Sequence, residues 1–159
     1  MKILQIKVYE FSELSEDAKE KAREWFREGY SFETWWEGVY EDAANIGIKI
    51  TSFNLDRNRH AEGIFTENAE TVASAIIENH GKDCETYKTA KAFQYAITVH
   101  SSNMEEVIED AEEEFLKSLL EDYSIILQHE YEYLLSNESV DENIQANEYT
   151  FTETGKREG

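Results

Sequence analysis

The chain has 159 residues, 40% hydrophobic and 13% aromatic, with 35 acidic against 15 basic residues and a formal charge of -20. That length holds one domain with a real core, and the aromatic content excludes a disordered acidic tail, whose mark is few aromatics. The charge argues against direct binding of nucleic acid or anionic membrane, which it repels. The lone Cys84 excludes an internal disulfide and fits a reduced setting. The start, MKILQIKVYEF, is charged and too short for a signal peptide, and nothing approaches an apolar run of about 18 residues. The expected location is the cytoplasm.

In chain order, Ile3, Gln5, Lys7 and Tyr9 alternate with Leu4, Ile6 and Val8, the period of a first strand. Ser15 then reads as an N-cap, with Glu16 and Asp17 in the first turn, where the helix dipole favours anions. Leu14 would staple onto that helix, with Ala18, Ala22, Trp25 and Phe26 on its inner face. Lys19, Glu20, Arg23, Glu24 and Arg27 fall on the outer face, and Gly29 ends the helix. A second helix is expected over roughly Glu33 to Asn45, ended by Gly47. Ile48 to Leu55 reads as a strand, Asp56 to Glu62 as a polar turn, and Gly63-Ile64-Phe65 as a short strand.

Ala69, Val72, Ala73, Ile76 and Ile77 mark a third helix, closed by Gly81. Phe93, Tyr95, Ile97 and Val99 have period two and read as a strand. Ser102 with Glu105 fits a capping box. A long helix follows with Val107, Ile108, Ala111, Phe115, Leu119, Tyr123, Ile126 and Leu127 as its apolar stripe. A short helix within Ser136 to Asn147 and a last strand at Tyr149 and Phe151 complete the chain. The sum predicts an α+β fold: one domain over 1–154, a modest, largely antiparallel sheet packed by helices, and one long acidic helix at about 103–135. Residues 155–159 read as a frayed tail.

Catalytic signatures are sparse. No phosphate-binding loop, dinucleotide fingerprint, nucleophile elbow or zinc-protease motif is present; Tyr133 stands where the second histidine after His129-Glu130 would be. Asp56, Asn58, His60, Glu62 and Glu67 take positions of a calcium loop, but Ala61 replaces the glycine its sharp turn needs. Asp83 and Glu85 beside Cys84 oppose a reactive thiolate. These readings give no catalytic, cofactor-binding or metal-ligating residue.

The charge is concentrated instead. From Asn103 to Glu153 there are 16 acidic residues and one basic residue, Lys117, so this third of the chain carries most of the net charge. Glu105, Glu109 and Glu112 form one i, i+4, i+3 row, and Glu106, Asp110, Glu113 and Glu114 the neighbouring one. Successive carboxylates on such rows lie about 5–6 Å apart, close to the phosphate spacing along a DNA strand. Like charges at i, i+4 cost helix stability, and a surface needing only solubility would mix signs. Two readings stand: a solvated face, or an electrostatic binding face for a basic partner. Trp35-Trp36 with Tyr40 is a dense aromatic group. On a helix residues 35 and 36 point about 100° apart, which places one in the core and leaves Trp35 as a candidate interface anchor.

The pattern Glu13-Leu14-Ser15-x-x-Ala18-Lys19-x-Lys21-Ala22-Arg23-x-Trp25, followed by an expected Trp-rich second helix, resembles a family of small acidic proteins of bacteriophages and prophages. The run His129-Glu130-Tyr131-Glu132-Tyr133-Leu134 and the motif Ala146-Asn147-Glu148-Tyr149-x-Phe151-Thr152-Glu153-x-Gly155-Lys156-Arg157 resemble the same family. These motifs are capping and packing features, so no catalytic residue carries over. The resemblance implies a phage-related origin, a bacterial host cytoplasm and a role against host defence, as in anti-CRISPR or anti-restriction inhibitors that imitate DNA.

The expected function is therefore a non-enzymatic inhibitor that occupies the basic nucleic-acid channel of a host nuclease or CRISPR effector complex. Glu105, Glu106, Glu109, Asp110, Glu112, Glu113 and Glu114 would make the contact. The alternative is an antitoxin-like or accessory module that binds a protein through an apolar, aromatic surface including Trp35. A small enzyme would instead show an organised pocket with a perturbed carboxylate or histidine.

Overall fold

The computed structural model describes residues 7–29, 34–99 and 105–158. In order they form β1 (Tyr9–Glu10), a 3-10 turn (Phe11–Glu13), α1 (Glu16–Gly29), α2 (Glu37–Asn45), β2 (Ile48–Asn54) and β3 (His60–Phe65). There follow α3 (Ala69–Asn79), α4 (Glu85–Val99), α5 (Glu105–Leu135), α6 (Asn137–Ala146) and β4 (Thr150–Phe151). The fold is α+β, dominated by helices, as the sequence predicts. In place of one sheet there are two antiparallel ribbons of two strands each, β1 with β4 and β2 with β3. The chain divides into two compact units: residues up to Glu33 with those from Glu130 onward, and Thr34–His129. Helix α5 contributes to both.

The first unit joins the two ends of the chain. Tyr9 pairs with Phe151 and Glu10 with Thr150. Ser15 caps α1 as expected, its Oγ accepting from the amide of Ala18 at 3.2 Å, and Ser136 caps α6 through the amide of Ser139. Ala18, Ala22 and Phe26 of α1 bury against Val140 and Ile144 of α6, with Phe11, Leu14 and Phe151 closing the core. Arg23, expected on the outer face, is buried. Its Nε and Nη2 donate to the two oxygens of Asp141 at 2.7 and 2.9 Å, a bidentate pair that ties α1 to α6.

Residues 155–158, expected to fray, are held in place. The amide of Glu158 donates to Thr150 O and that of Thr152 to Lys156 O, while Arg157 bridges to Phe151 and stacks over Tyr149. Of the expected first strand only Tyr9 belongs to β1; residues 3–6 lie outside the described residues.

The second unit is built around the β2–β3 hairpin and helices α3, α4 and α5. Ile48 and Ile50 of β2 point into a core made by Val72, Ala73 and Ile76 of α3, Ala90 and Phe93 of α4, and Phe115, Leu119 and Tyr123 of α5. Gly47, at a φ of 97°, turns α2 into β2 where a Cβ would meet Val72 at 2.9 Å.

Residues 93–99, expected as a strand, are the last turns of α4. Phe93 and Ile97, four apart, are two of the four apolar residues of that run and face inward; Tyr95 and Val99 are exposed. Spacing of two therefore contains spacing of four, and the helix wins because Phe93 stacks on Phe115 with ring centroids 4.3 Å apart and planes at 6°. Truncating such a buried phenylalanine costs about 3–5 kcal/mol.

Candidate functional site

Helix α5 runs for 31 residues, and its neighbours change along its length. From Phe115 onward it is hemmed in. Phe115, Leu119, Tyr123, Ser124 and Leu127 are buried, which at 100° per residue covers about half of the helix circumference. Arg59, from the hairpin, donates to Ser124 Oγ, to Gln128 Oε1 and to Glu121 Oε1, the last at 2.7 Å. The hydroxyl of Thr89 donates to Asp122 Oδ2 at 2.6 Å. Burial pushes the Asp122 carboxyl up; the Thr89 bond opposes this, and the charges of Glu85 and Glu121 add to it.

The first three turns differ. Ala111 and Ile108 continue the inward line of Phe115 and are half-buried, while Glu105, Glu106, Glu109, Asp110, Glu113 and Glu114 are exposed and Glu112 is half-buried. Glu105 and Glu106 lie in the first turn, where the unpaired amides of a helix N-terminus favour negative charge. The capping box expected at Ser102 lies outside the described residues.

Helical geometry puts the seven carboxylates on one continuous arc of roughly 200°, from Glu112 round to Glu114, rather than on two separate rows. Glu114 stands on the rim of a groove floored by Phe93, Ala96 and Phe115. Among the described residues, no hydrogen bond or salt bridge reaches any of the seven. Seven charges over about 14 Å of helix is about one per 2 Å, against about one per 1.7 Å of axis in duplex DNA. Lys117, exposed at the end of the arc, is its only neighbouring cation on the helix.

Trp35 is placed elsewhere. α2 begins at Glu37, so residues 34–36 form a turn and not the start of the helix. Both Trp35 and Trp36 are half-buried, meeting the ring of Phe53 edge-on at 5.6 and 5.9 Å; Tyr40 joins at 6.1 Å. The division into one core and one rim tryptophan does not hold, because a turn lacks the helical angle that would separate them. The four rings form one partly exposed aromatic patch at the far end of β2, where the register shift between Ile50 and Ser52 pairs Phe53 with the buried Ala61.

The would-be calcium loop is the β2–β3 connection. Glu62 accepts from the Ser52 hydroxyl across the ladder, His60 Nδ1 lies 2.6 Å from Asn58 O, and His60 and Glu62 belong to β3 and not to a calcium-binding loop. Cys84 is an exposed thiol. What sequence reasoning missed is a cleft between α2, the α3–α4 connection and α5 that gathers Asp42, His80 and the burial-perturbed Asp122, the kind of pocket the small-enzyme reading calls for. These residues come from separate segments, so no local spacing announces them. No known protein family matches the chain, and neither the curated proteins nor the solved structures contain a significant match.

Proposed function

We propose that this is a phage-encoded, non-enzymatic inhibitor of a host defence nuclease, with a CRISPR effector complex as the first target class, and that it binds the enzyme's basic nucleic-acid channel through the acidic arc of α5. One observation supports the reading: seven carboxylates that meet no hydrogen-bond or ion-pair partner among the described residues, at nearly the linear charge density of a DNA duplex, on the first three turns of a helix backed there by half-buried Ile108 and Ala111 and packed into a core from Phe115 onward. A preformed helix presents these charges with no backbone ordering on binding, so that only the side chains must be fixed, and a charged channel attracts them at long range. Like-charge neighbours at i, i+4 weaken a helix by a few tenths of a kcal/mol per pair; a run of them without counter-charges is costly unless used. The motifs resembling phage proteins supply the host context. Among the described residues no helix is long and apolar enough to cross a membrane.

The test is a cleavage assay with purified CRISPR ribonucleoproteins and restriction nucleases, each challenged with its DNA substrate at 50 to 300 mM salt. Inhibition of one of them should weaken at least about tenfold across that range. It should vanish when Glu106, Glu109, Glu113 and Glu114 are changed to lysine, with the circular dichroism spectrum retained. Undiminished inhibition by that variant would refute the arc as the contact. Salt-tolerant inhibition lost in Trp35→Ala would instead favour the aromatic patch, and with it an antitoxin-like or accessory binding module.

A further inference from the structure

A cleft of about 440 Å³ opens within the second unit, inside the size range of small-molecule sites. Three carboxylates line it from three elements: Asp42 of α2, Glu85 of α4 and Asp122 of α5; Ile125 and Ile126 give it an aliphatic wall. No lysine or arginine is among its lining residues. His80, at the end of α3, stands at one corner with its side chain only 12% exposed. Its Nδ1 is 2.6 Å from the Thr86 hydroxyl, while Nε2 is buried with no hydrogen-bond partner among the described residues, 3.6 Å from Asp42 Oδ2. The Tyr123 hydroxyl donates to that same oxygen at 3.2 Å.

At this corner the Asp42 carboxylate lies beside the His80 ring and accepts from Tyr123, and it has no lysine or arginine partner among the described residues. Asp122 lacks a cation as well: Thr89 supplies one hydrogen bond, and burial with the nearby Glu85 and Glu121 charges makes its ionised form unfavourable. Glu85 is held by Lys88 at 3.3 Å, and an anion would be repelled by Asp42 and Asp122, the two lining carboxylates without a lysine or arginine partner among the described residues. A neutral apolar guest would desolvate them without recompense. A bare metal ion is the poorer fit, because among the described residues no group of three or more His, Cys, Asp or Glu side chains is spaced to hold one. What satisfies every wall is a positive group with several N–H donors on an aliphatic stem. Asp42, whose side chain is more than half exposed, can turn its second oxygen to such a group without losing packing.

We infer that the cleft between Asp42, His80 and Asp122 binds an alkylguanidinium or alkylammonium group, with the charged head between the carboxylates and the stem against Ile125 and Ile126. The group can come from a free polyamine-like cation or from an arginine or lysine side chain of a partner. The inference is independent of the acidic arc.

Methyl NMR of the full chain tests it, following the Ile125 and Ile126 δ-methyls with the exposed Ile64 as an internal control. Agmatine and N-acetyl-arginine methylamide are the probes, titrated at constant ionic strength. Saturable shifts at Ile125 and Ile126, absent at Ile64, are expected. Affinity should fall at least about tenfold in Asp122→Asn and in Asp42→Asn, which keep the Thr89 and Tyr123 hydrogen bonds and so the fold. Binding of agmatine alone assigns the cleft to a free cation; binding of both assigns it to a side chain. Shifts that grow linearly, match those from sodium chloride, or persist unchanged in both variants overturn the inference. The four-lysine variant of the arc should still bind agmatine in the cleft, which separates failure of one site from failure of the other.

Discussion

Gly155→Ala probes the C-terminal fold-back more sharply than any truncation. Gly155 sits at a φ of 92°, a conformation that costs an L-residue roughly 1–2 kcal/mol. Its Cβ would lie 2.1 Å from the carbonyl oxygen of Ala18 and 2.9 Å from the carbonyl carbon. Both are backbone atoms of α1, and Ala18 is buried, so the neighbour has nowhere to go. Overpacking of that kind costs about 1–3 kcal/mol. The two contributions give about 2–5 kcal/mol, a large share of the 5–15 kcal/mol that holds a typical domain. If the segment lifts away instead, the strain is relieved but the Glu158–Thr150 and Thr152–Lys156 backbone bonds are lost. Urea denaturation gives the first quantity, and amide exchange at Glu158 and Thr152 gives the second. A loss below about 1 kcal/mol with both amides still protected would show that residues 155–158 do not pack on α1.

Three further outcomes follow from the geometry. Neutralising Glu106, Glu109, Asp110 and Glu113 to their amides should raise the melting temperature, since each i, i+4 repulsion removed is worth a few tenths of a kcal/mol, while nuclease inhibition falls; a lower melting temperature would mean these side chains make contacts that stabilise the fold. Arg23→Lys should destabilise by about 1–3 kcal/mol in urea unfolding, because a lysine cannot reproduce the two-point contact with Asp141; an unchanged midpoint would show the pair to be incidental. Asp122 has a raised folded-state pKa, so its contribution is most favourable below the unfolded value and is lost as pH rises through the folded one. Asp122→Asn should therefore stabilise at pH 7, with the gain shrinking as pH falls towards 4; a gain that does not change with pH would point to packing and not ionisation.

The chain's local chemistry was legible where a single segment settles the matter. Ser15 is followed by helical spacing of Ala18, Ala22 and Phe26, and it caps α1 as read. Alternation at Ile48 and Ile50 marks β2, and the acidic half of α5 is visible as charge alone. The strand reading of Phe93 to Val99 failed because a short apolar run at spacing two also satisfies spacing four, and only the stack on Phe115 decides between them.

The sequence by itself determined the α+β class, the Ser15 cap, the apolar line of α1, α3 and α5 and the place where negative charge gathers, because each follows from the order of neighbours within one turn or one strand. Tertiary structure alone decided which charges are spoken for. Arg23 finds Asp141 at a separation of 118 residues, and Arg59 finds Glu121 at 62. Those pairings bury or bridge acids that look identical in sequence to Glu109 or Glu113, while the arc of α5 gains no such partner among the described residues. The cleft at Asp42, His80 and Asp122 arises in the same way. Electrostatic partnership depends on distance in space, and a chain's composition and periodicity carry no record of which distant residue arrives.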